Sequence, residues 1–199
     1  MTYSVIGFGN VGQSLAKAFA RKGIDVVVAT RRSPDELKSQ VASIGPFVKP
    51  VTLAEAVKAD TVMLAVPFSG VKEVAATTPD WNGKTVIDAT NAYGTPLYDA
   101  DGLTSSAINA GLFPGARFAK GFNHLAAGVL GQDPTVHGGR RVIFLASDDE
   151  TAFKAAAALA EQLGYAPVSL GTLAEGGPLT SARNKSWSPL DFVDLVKFG

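Results

Sequence analysis

The sequence predicts an α/β protein with a doubly wound, mainly parallel sheet and a short C-terminal helical segment. Strand-like and helix-like segments alternate along all 199 residues, which is typical of a parallel sheet covered on both faces. In addition, the glycine motif GFGNVG at residues 7–12 follows the apolar run 3–6 and precedes an apolar pattern with helical spacing. Strand, glycine turn and helix in this order are the context of a dinucleotide-binding fingerprint, which makes the predicted fold Rossmann-type.

Each further element follows from a local pattern. Continuous apolar runs, which suit strands buried on both faces, predict strands at residues 3–6, 24–29, 61–66, 84–88, 117–120, 141–146 and 166–170. Helical periodicity and helix-start residues predict helices after the glycine motif and at residues 34–43, 53–59, 71–76 and 103–112. An alanine-rich helix starts at the acidic segment 147–150 and stops at Gly164. We expect one domain, residues 1–199, with a nucleotide-binding core at 1–146 and a helix–strand–helix extension at 147–199 that borders an acceptor site.

The three motif glycines have distinct expected roles. Gly7 permits a tight turn, Gly9 lets the backbone approach a pyrophosphate, and Gly12 lets the helix pack close to the strand. The first N–H groups of that helix, at Asn10 and Val11, would face the phosphates. The flanking strand and helix argue against a glycine-rich turn without a ligand.

The end of the second strand predicts which dinucleotide binds. NAD-preferring sites usually carry an acidic residue about 20 residues after the glycines, but here the strand is followed by Thr30, Arg31 and Arg32, and Asp25 lies at its wrong end. These groups suit charge-assisted hydrogen bonds to a 2′-phosphate. The alternative is a solvated arginine pair at the start of the next helix, where cations oppose the helix dipole. We therefore predict NADP(H).

Composition limits the other functions. Lys plus Arg and Asp plus Glu each number 18, which predicts no nucleic-acid partner and no membrane surface as a partner. There is no cysteine, and only His124 and His137 carry imidazoles, so we expect no metal site. The chain shows no signal-peptide pattern and no apolar stretch of about 18 residues, and we expect a cytoplasmic protein.

In an open α/β sheet, ligands bind beyond the carboxyl ends of the strands. Small residues and backbone carbonyls at these strand ends would lie alongside the ribose and the nicotinamide of the cofactor. Asn91 and Asn123 could hydrogen-bond a carboxamide or an acceptor. Lys120 could bind an anionic acceptor or a reduced product, and His124 is a candidate proton donor. Each also has an ordinary structural role, such as a turn or a strand end. The remaining candidates at the strand ends are Ala65, Val66, Pro67 and Ala119.

The chain resembles the deazaflavin-dependent NADP reductases, that is, the factor-420:NADPH oxidoreductases and related dinucleotide-binding proteins. It is similar, more distantly, to the reductase domain of the STEAP metalloreductases and to the N-terminal half of pyrroline-5-carboxylate reductase. Nearly the whole length is covered, by the segments 6–12, 29–32, 64–67, 86–91, 120–123, 146–150 and 170–179. The short tail speaks against pyrroline-5-carboxylate reduction.

The resemblance implies an NADP site and a nicotinamide pocket. The implied site residues are Gly7, Gly9, Asn10, Val11, Thr30, Arg31, Arg32, Val66, Pro67, Asn91 and residues 119–122. It also implies direct hydride transfer between stacked rings, so that the protein supplies alignment rather than acid–base chemistry. The sequence departs from the family at Gly121, at His124 and in its tail, all on the acceptor side.

Two hypotheses about function follow. The first is an NADP(H)-dependent oxidoreductase that passes hydride to a planar acceptor such as a deazaflavin or a flavin; a homodimer is a further expectation. The second is a non-catalytic NADP(H)-binding redox sensor or a subunit that supplies hydride to a partner. A cleft lined by Lys120, Asn123 and the tail, and wide enough for a tricyclic ring, would favour the first hypothesis. A nicotinamide end plugged by side chains would favour the second.

Overall fold

Ten strands and eight helices are assigned in the computed structural model, which describes residues 1–94, 99, 101–181 and 190–194. The strands are β1 (Tyr3–Ile6), β2 (Val26–Ala29), β3 (Val48–Pro50), β4 (Thr61–Leu64), β5 (Thr85–Asp88), β6 (Arg117–Gly121), β7 (Thr135–Val136), β8 (Gly139–Arg140), β9 (Val142–Ala146) and β10 (Ala166–Ser169). The helices are α1 (Asn10–Arg21), α2 (Pro34–Ala42), α3 (Leu53–Ala56), α4 (Val71–Ala75), α5 (Ser105–Gly111), α6 (Ala127–Leu130), α7 (Glu150–Gln162) and α8 (Leu173–Thr180). A 3₁₀ turn at Phe68–Gly70 precedes α4.

The main sheet has the strand order β10-β9-β6-β5-β4-β1-β2-β3. All neighbouring pairs are parallel except β6 and β9, which pair antiparallel through Lys120 and Ala146. The order reverses at β1, where Ile6 lies between Ala29 of β2 and Leu64 of β4. This reversal is the topological switch point of a Rossmann-type sheet, beside which ligands bind. The predicted fold class is confirmed.

Apolar layers cover both faces of the sheet. One contains Leu15 and Phe19 of α1 together with residues of α7. The other contains Trp81 and Phe113, whose rings meet edge to face at 4.8 Å. The central strands β1, β4 and β5 are buried at every position because both of their faces are covered, which explains their continuous apolar sequences.

Side-chain caps define several helix starts. At α7, the Asp149 carboxylate accepts hydrogen bonds from the backbone N–H groups of Thr151 and Ala152, as the acidic segment 147–150 predicts. At α8, Thr172 and Glu175 form a reciprocal capping box. None of the helices in the described residues is long and apolar enough to cross a membrane.

The structure adds elements that the sequence patterns did not predict. Strand β3 is only three residues long and contains Pro50, which a short edge strand tolerates. Helix α6 has four residues, too few to show periodicity. The hairpin of β7 and β8 turns through His137 and Gly138, both at positive φ as its two-residue turn requires. The C-terminal extension contains α7, β10 and α8, and Val193 forms a bridge with Arg141; the predicted tail otherwise lies outside the described residues.

Candidate functional site

Two cavities lie at the carboxyl edge of the sheet, on either side of Val66 and Pro67. The glycine-loop cavity has a volume of about 320 Å³ and is lined by Gly9, Asn10, Val11, Ala65, Val66, Pro67, Ala89, Thr90, Asn91 and Tyr93. The arginine cavity has a volume of about 130 Å³ and is lined by Ile6, Thr30, Arg31, Leu53, Val66, Pro67, Ser69, Gly70, Glu73 and Val74. Together they form one cleft beside the switch point, where the fold predicts a ligand.

Two of the motif glycines are required by the packing of the protein itself. Gly7 has φ +102°, and a Cβ there would collide with the carbonyl group of Ala65. A Cβ at Gly12 would collide with the carbonyl group of Gly7, so this glycine lets α1 approach the turn after β1. Both roles belong to the turn and do not by themselves indicate a ligand.

Gly9 is different. A Cβ built there meets no heavy atom within 4 Å, although Gly9 lines the glycine-loop cavity. Its φ of −76° is open to any residue. Nothing in the surrounding described protein therefore demands a glycine at this position, whereas a group packed onto the backbone would. This fits the close approach of a pyrophosphate.

The start of α1 fits an anion. Gly9 is its N-cap and makes no side-chain cap hydrogen bond, and the first turn contains no acidic residue. The first backbone N–H groups of a helix have no partner within the helix, and the helix dipole favours negative charge there. Asn10 and Val11 line the cavity at this point. The donors thus lie where the glycine motif predicts phosphates.

The segment after β2 provides exposed cations beside the arginine cavity. The Thr30 hydroxyl accepts a hydrogen bond of 3.0 Å from the Arg32 backbone N–H. The Arg31 guanidinium pairs with the Glu73 carboxylate on α4 at 3.8 Å. The Arg32 guanidinium instead donates to the Gln40 amide oxygen on α2 at 3.4 Å. Thr30 and Arg31 line the cavity, and Arg32 is adjacent to them in the chain.

Asn91 and Asn123 form a reciprocal pair behind the glycine-loop cavity. The Asn91 amide donates to the backbone carbonyl of Asn123 at 2.9 Å, and the Asn123 amide donates to Asn91 Oδ1 at 3.2 Å and to the carbonyl of Thr180 at 3.1 Å. Phe122 has φ +63°, a left-handed conformation that turns the chain directly after β6. The structure thus unites the two predicted asparagines, with Asn91 in the cavity wall.

The Lys120 side chain is buried and is not among the residues that line the two cavities. Its side chain is only 3% exposed, and its ammonium pairs with the buried Asp88 carboxylate at 3.2 Å and donates to the Thr90 carbonyl. Asp88 also accepts from the Thr90 backbone N–H at 2.8 Å and from the Asn109 amide at 3.0 Å. Burial lowers the pKa of Lys120, and the Asp88 carboxylate opposes this shift. Lys120 thus fixes the backbone of Thr90, which forms part of the wall of the glycine-loop cavity.

Ala119 and His124 are also buried away from the two cavities. Ala119 is fully buried within β6. His124 is 1% exposed, and its ring centroid lies 5.0 Å from that of Phe144 on β9. Burial lowers the pKa of His124 to about 4, although the Asp191 carboxylate opposes this shift. The imidazole is therefore neutral at pH 7, and direct contacts of Ala119, Lys120 or His124 with a ligand stay predictions.

Residues that the sequence analysis did not single out complete the cleft. Tyr93 is 72% exposed and lines the glycine-loop cavity. A further cavity of about 150 Å³ adjoins it and is lined by Pro67, Phe68, Ser69, Asn91 and Tyr93. The strand-end rule directed attention to Asn91, and Tyr93 lies only two residues beyond. Glu73 lies on a helix, and no local pattern relates it to Arg31.

Gly121, a departure from the family pattern, has a packing reason. It lies opposite Leu145 in the antiparallel β6–β9 pair, and a Cβ at Gly121 would collide with the Leu145 side chain. The position is thus tied to the size of the neighbouring side chain on β9.

The chain is similar to known proteins over nearly its whole length. A family described as coenzyme F420-dependent NADP oxidoreductase matches residues 2–92. The crystal structure of a hypothetical protein from Sinorhizobium meliloti superimposes with a TM-score of 0.91 at 38% identity, covering 98% of this chain and 96% of that one. A putative F420-dependent NADP reductase from Arthrobacter sp. FB24 gives a TM-score of 0.73 at 25% identity, with 90% of each chain covered.

A curated relative is longer than this chain. The metalloreductase STEAP3 of Rattus norvegicus is 26% identical over 195 residues, which cover 97% of this chain and 37% of the relative. The similarity thus spans little more than a third of that protein. The family match and the near full-length similarity to the two bacterial structures establish the relationship: the chain belongs to the family of coenzyme F420-dependent NADP oxidoreductases.

Proposed function

We propose that the chain binds NADP(H) in this cleft and transfers hydride between the nicotinamide and a planar acceptor, such as a deazaflavin or a flavin. The observation that carries the proposal is the pair of cavities that meet at Val66 and Pro67, with the open side of Gly9 facing one of them. Adenine would occupy the arginine cavity, the pyrophosphate would cross Gly9, and the nicotinamide would enter the glycine-loop cavity.

The residues at the adenosine end suit NADP(H) better than NAD(H). Arg31 and Arg32 present guanidinium groups to solvent at the end of β2, and Thr30 adds a hydroxyl. Guanidinium groups bind phosphate through charge-assisted, partly bidentate hydrogen bonds. The strand end carries no carboxylate to accept a hydrogen bond from a ribose 2′-hydroxyl.

The residues at the opposite end of the cleft suit the binding of a flat acceptor. The cavity of about 150 Å³ lies between Pro67 and Tyr93 and shares both residues with the glycine-loop cavity. The exposed Tyr93 ring could stack on an aromatic ring system, and aromatic pairs favour such offset contacts. Asn91 lines both cavities, where its amide could orient a carboxamide or an acceptor carbonyl.

Bound NADPH would supply a hydride from its dihydronicotinamide ring. The chain would then contribute alignment: the segment 65–67 would form one wall, and Asn91 and Tyr93 would bracket the acceptor. Lys120 and Asp88 would fix Thr90, which forms part of the same wall. Neither Lys120 nor the neutral His124 is needed as a proton donor in this scheme.

The alternative is a non-catalytic NADP(H)-binding sensor or a subunit that supplies hydride to a partner. That role would suit a nicotinamide end plugged by side chains. The 150 Å³ cavity beside Tyr93 instead leaves room for a second ring, which supports the oxidoreductase.

A labelling experiment tests the proposal. NADPH that carries deuterium at its transferable position would be incubated with the protein and a panel of flavins, deazaflavin, quinones and ferric chelates. We expect deuterium on a reduced deazaflavin or flavin, and tighter binding of NADPH than of NADH. Binding without turnover of any acceptor would favour the sensor. Equal affinities for NADH and NADPH would contradict the NADP assignment.

A matched pair of variants tests the acceptor site. Tyr93→Ala should raise the KM for the acceptor while the Kd for NADPH stays nearly constant, because Tyr93 lies at the acceptor side. Phe47→Ala is the control, since this partly exposed ring lies beside Gly23, beyond the far end of α1. Equal effects of the two substitutions would contradict the placement of the acceptor against Tyr93.

A further inference from the structure

An ion pair spans the arginine cavity. Arg31 Nη1 and Glu73 Oε2 are 3.8 Å apart, and both residues line the cavity. Arg31 follows β2, whereas Glu73 lies on α4, so the pair joins two sides of the space in which adenosine would bind. The Arg31 and Glu73 side chains are 81% and 55% exposed, so the pair can open without disturbing the core.

We propose that Glu73 is a specificity-determining residue that competes with the cofactor's 2′-phosphate for Arg31. This inference rests on the proposed function. Without the cofactor, the Glu73 carboxylate pairs with the Arg31 guanidinium. When NADP(H) binds, the 2′-phosphate replaces the carboxylate as the partner of Arg31. The pair therefore lowers the affinity for NADPH and leaves the affinity for NADH nearly unchanged, because NADH carries no 2′-phosphate.

Two physical effects act in the same direction. In part of the protein molecules the Arg31 guanidinium is paired with Glu73 and is not available to the phosphate. The apparent affinity for NADPH falls with the fraction of the protein that is competent to bind. Once released, the Glu73 carboxylate remains near the phosphate, and like charges repel. Both effects require a negative charge at position 73, and the first also requires Arg31.

The neighbouring arginine shows why Glu73 affects one contact and not the whole segment. The Arg32 guanidinium hydrogen-bonds to the neutral Gln40 amide, and among the described residues no carboxylate forms an ion pair with it. A phosphate that binds Arg32 displaces a neutral partner, whereas a phosphate that binds Arg31 displaces a charged one. The competition is thus confined to Arg31.

The test compares the Kd values for NADPH and NADH, measured by cofactor fluorescence, in wild type, Glu73→Gln, Arg31→Ala and the double variant. Exposed ion pairs contribute little, and we expect Glu73→Gln to tighten NADPH binding about two- to fivefold at low salt. The Kd for NADH should change by a smaller factor than the Kd for NADPH. The gain should shrink at high salt, where exposed charges are screened. In the Arg31→Ala background most of it should disappear.

Glu161→Gln is the matched control, because it removes the same charge from an exposed position on α7. The adjacent Gln162 accepts a hydrogen bond from the Tyr3 hydroxyl at the start of β1, which places this end of α7 at the sheet edge opposite the cleft. Glu161→Gln should leave both Kd values unchanged. If Glu161→Gln tightened NADPH binding as much as Glu73→Gln, the change in net charge would explain both effects, and the inference would be overturned.

Two other outcomes separate this inference from the proposed function. If wild type prefers NADPH but Glu73→Gln leaves that affinity unchanged or weakens it, Glu73 does not compete and only the inference fails. If wild type binds neither NADPH nor NADH, the proposed function fails, and the inference fails with it.

Discussion

The arginine cavity and the wall behind the glycine-loop cavity use polar residues in opposite ways. At the arginine cavity the charged side chains of Arg31 and Glu73 are exposed and meet in a single pair at 3.8 Å. Behind Thr90, the charged side chains of Lys120 and Asp88 are almost completely buried and share several hydrogen bonds. Substitutions at the first place should change binding with little effect on stability. Substitutions at the second should change stability first.

The largest expected effect is at Lys120. Replacing it by Met would leave the Asp88 carboxylate buried without its counter-charge, and breaking a buried pair in this way typically destabilises a protein by roughly 3–5 kcal/mol. We expect a loss of this size in the free energy of unfolding, measured by denaturant titration. Adding Asp88→Asn should recover part of it, because the buried charge is then gone.

Lys17→Met provides the control, since Lys17 is exposed on α1 and such substitutions usually change stability by about 0.5 kcal/mol or less. If Lys120→Met were as stable as this control, the buried pair would not support the wall. In that case Lys120 would be better explained as a group that is available to a ligand, as the sequence suggested.

The second expected effect is a pH dependence at His124. Burial lowers its folded-state pKa from 6.5 to about 4, so the unfolded chain binds a proton in this range and the folded chain does not. Stability from this residue is therefore complete above pH 6.5 and falls as the pH drops towards 4, by about 3 kcal/mol in total. His124→Phe keeps a buried ring without the titration. The free energy of unfolding of wild type should fall more steeply between pH 7 and 4.5 than that of the variant, and parallel curves would contradict the buried neutral imidazole.

The third prediction separates two glycines of one motif. A side chain at Gly12 meets the Gly7 carbonyl, and overpacking of this kind typically costs about 1–3 kcal/mol, so Gly12→Val should unfold at lower denaturant concentration. Gly9→Val has open space and should keep nearly wild-type stability but lose NADPH binding. Unfolding curves and cofactor fluorescence measure the two effects. Normal NADPH binding by a folded Gly9→Val would show that no pyrophosphate crosses this position.

The same comparison explains what the sequence could predict. The glycine motif, the strand ends at residues 65–67 and Thr30 with Arg31 are short local patterns, and the structure brings them to one cleft. The contact between Lys120 and Asp88 depends on the register of the β5–β6 pair, which places the two residues opposite each other. The sequence pattern of a single strand does not predict which residue of the neighbouring strand lies opposite. The contact between Arg31 and Glu73 likewise depends on how β2 and α4 approach each other in the folded chain.

The last prediction concerns the arginine cavity, where the expected effect on stability is the smallest. One hydrogen bond to a charged group contributes about 1.5–3 kcal/mol, so loss of the Arg31 guanidinium should weaken NADPH binding roughly tenfold or more. NADH binding should change far less, because only NADPH carries the phosphate. Arg31→Ala should also unfold like wild type, since the side chain that it removes is 81% exposed. Equal weakening of NADH and NADPH would mean that Arg31 contacts the shared part of the cofactor, and the 2′-phosphate would then have to be bound by Thr30 and Arg32.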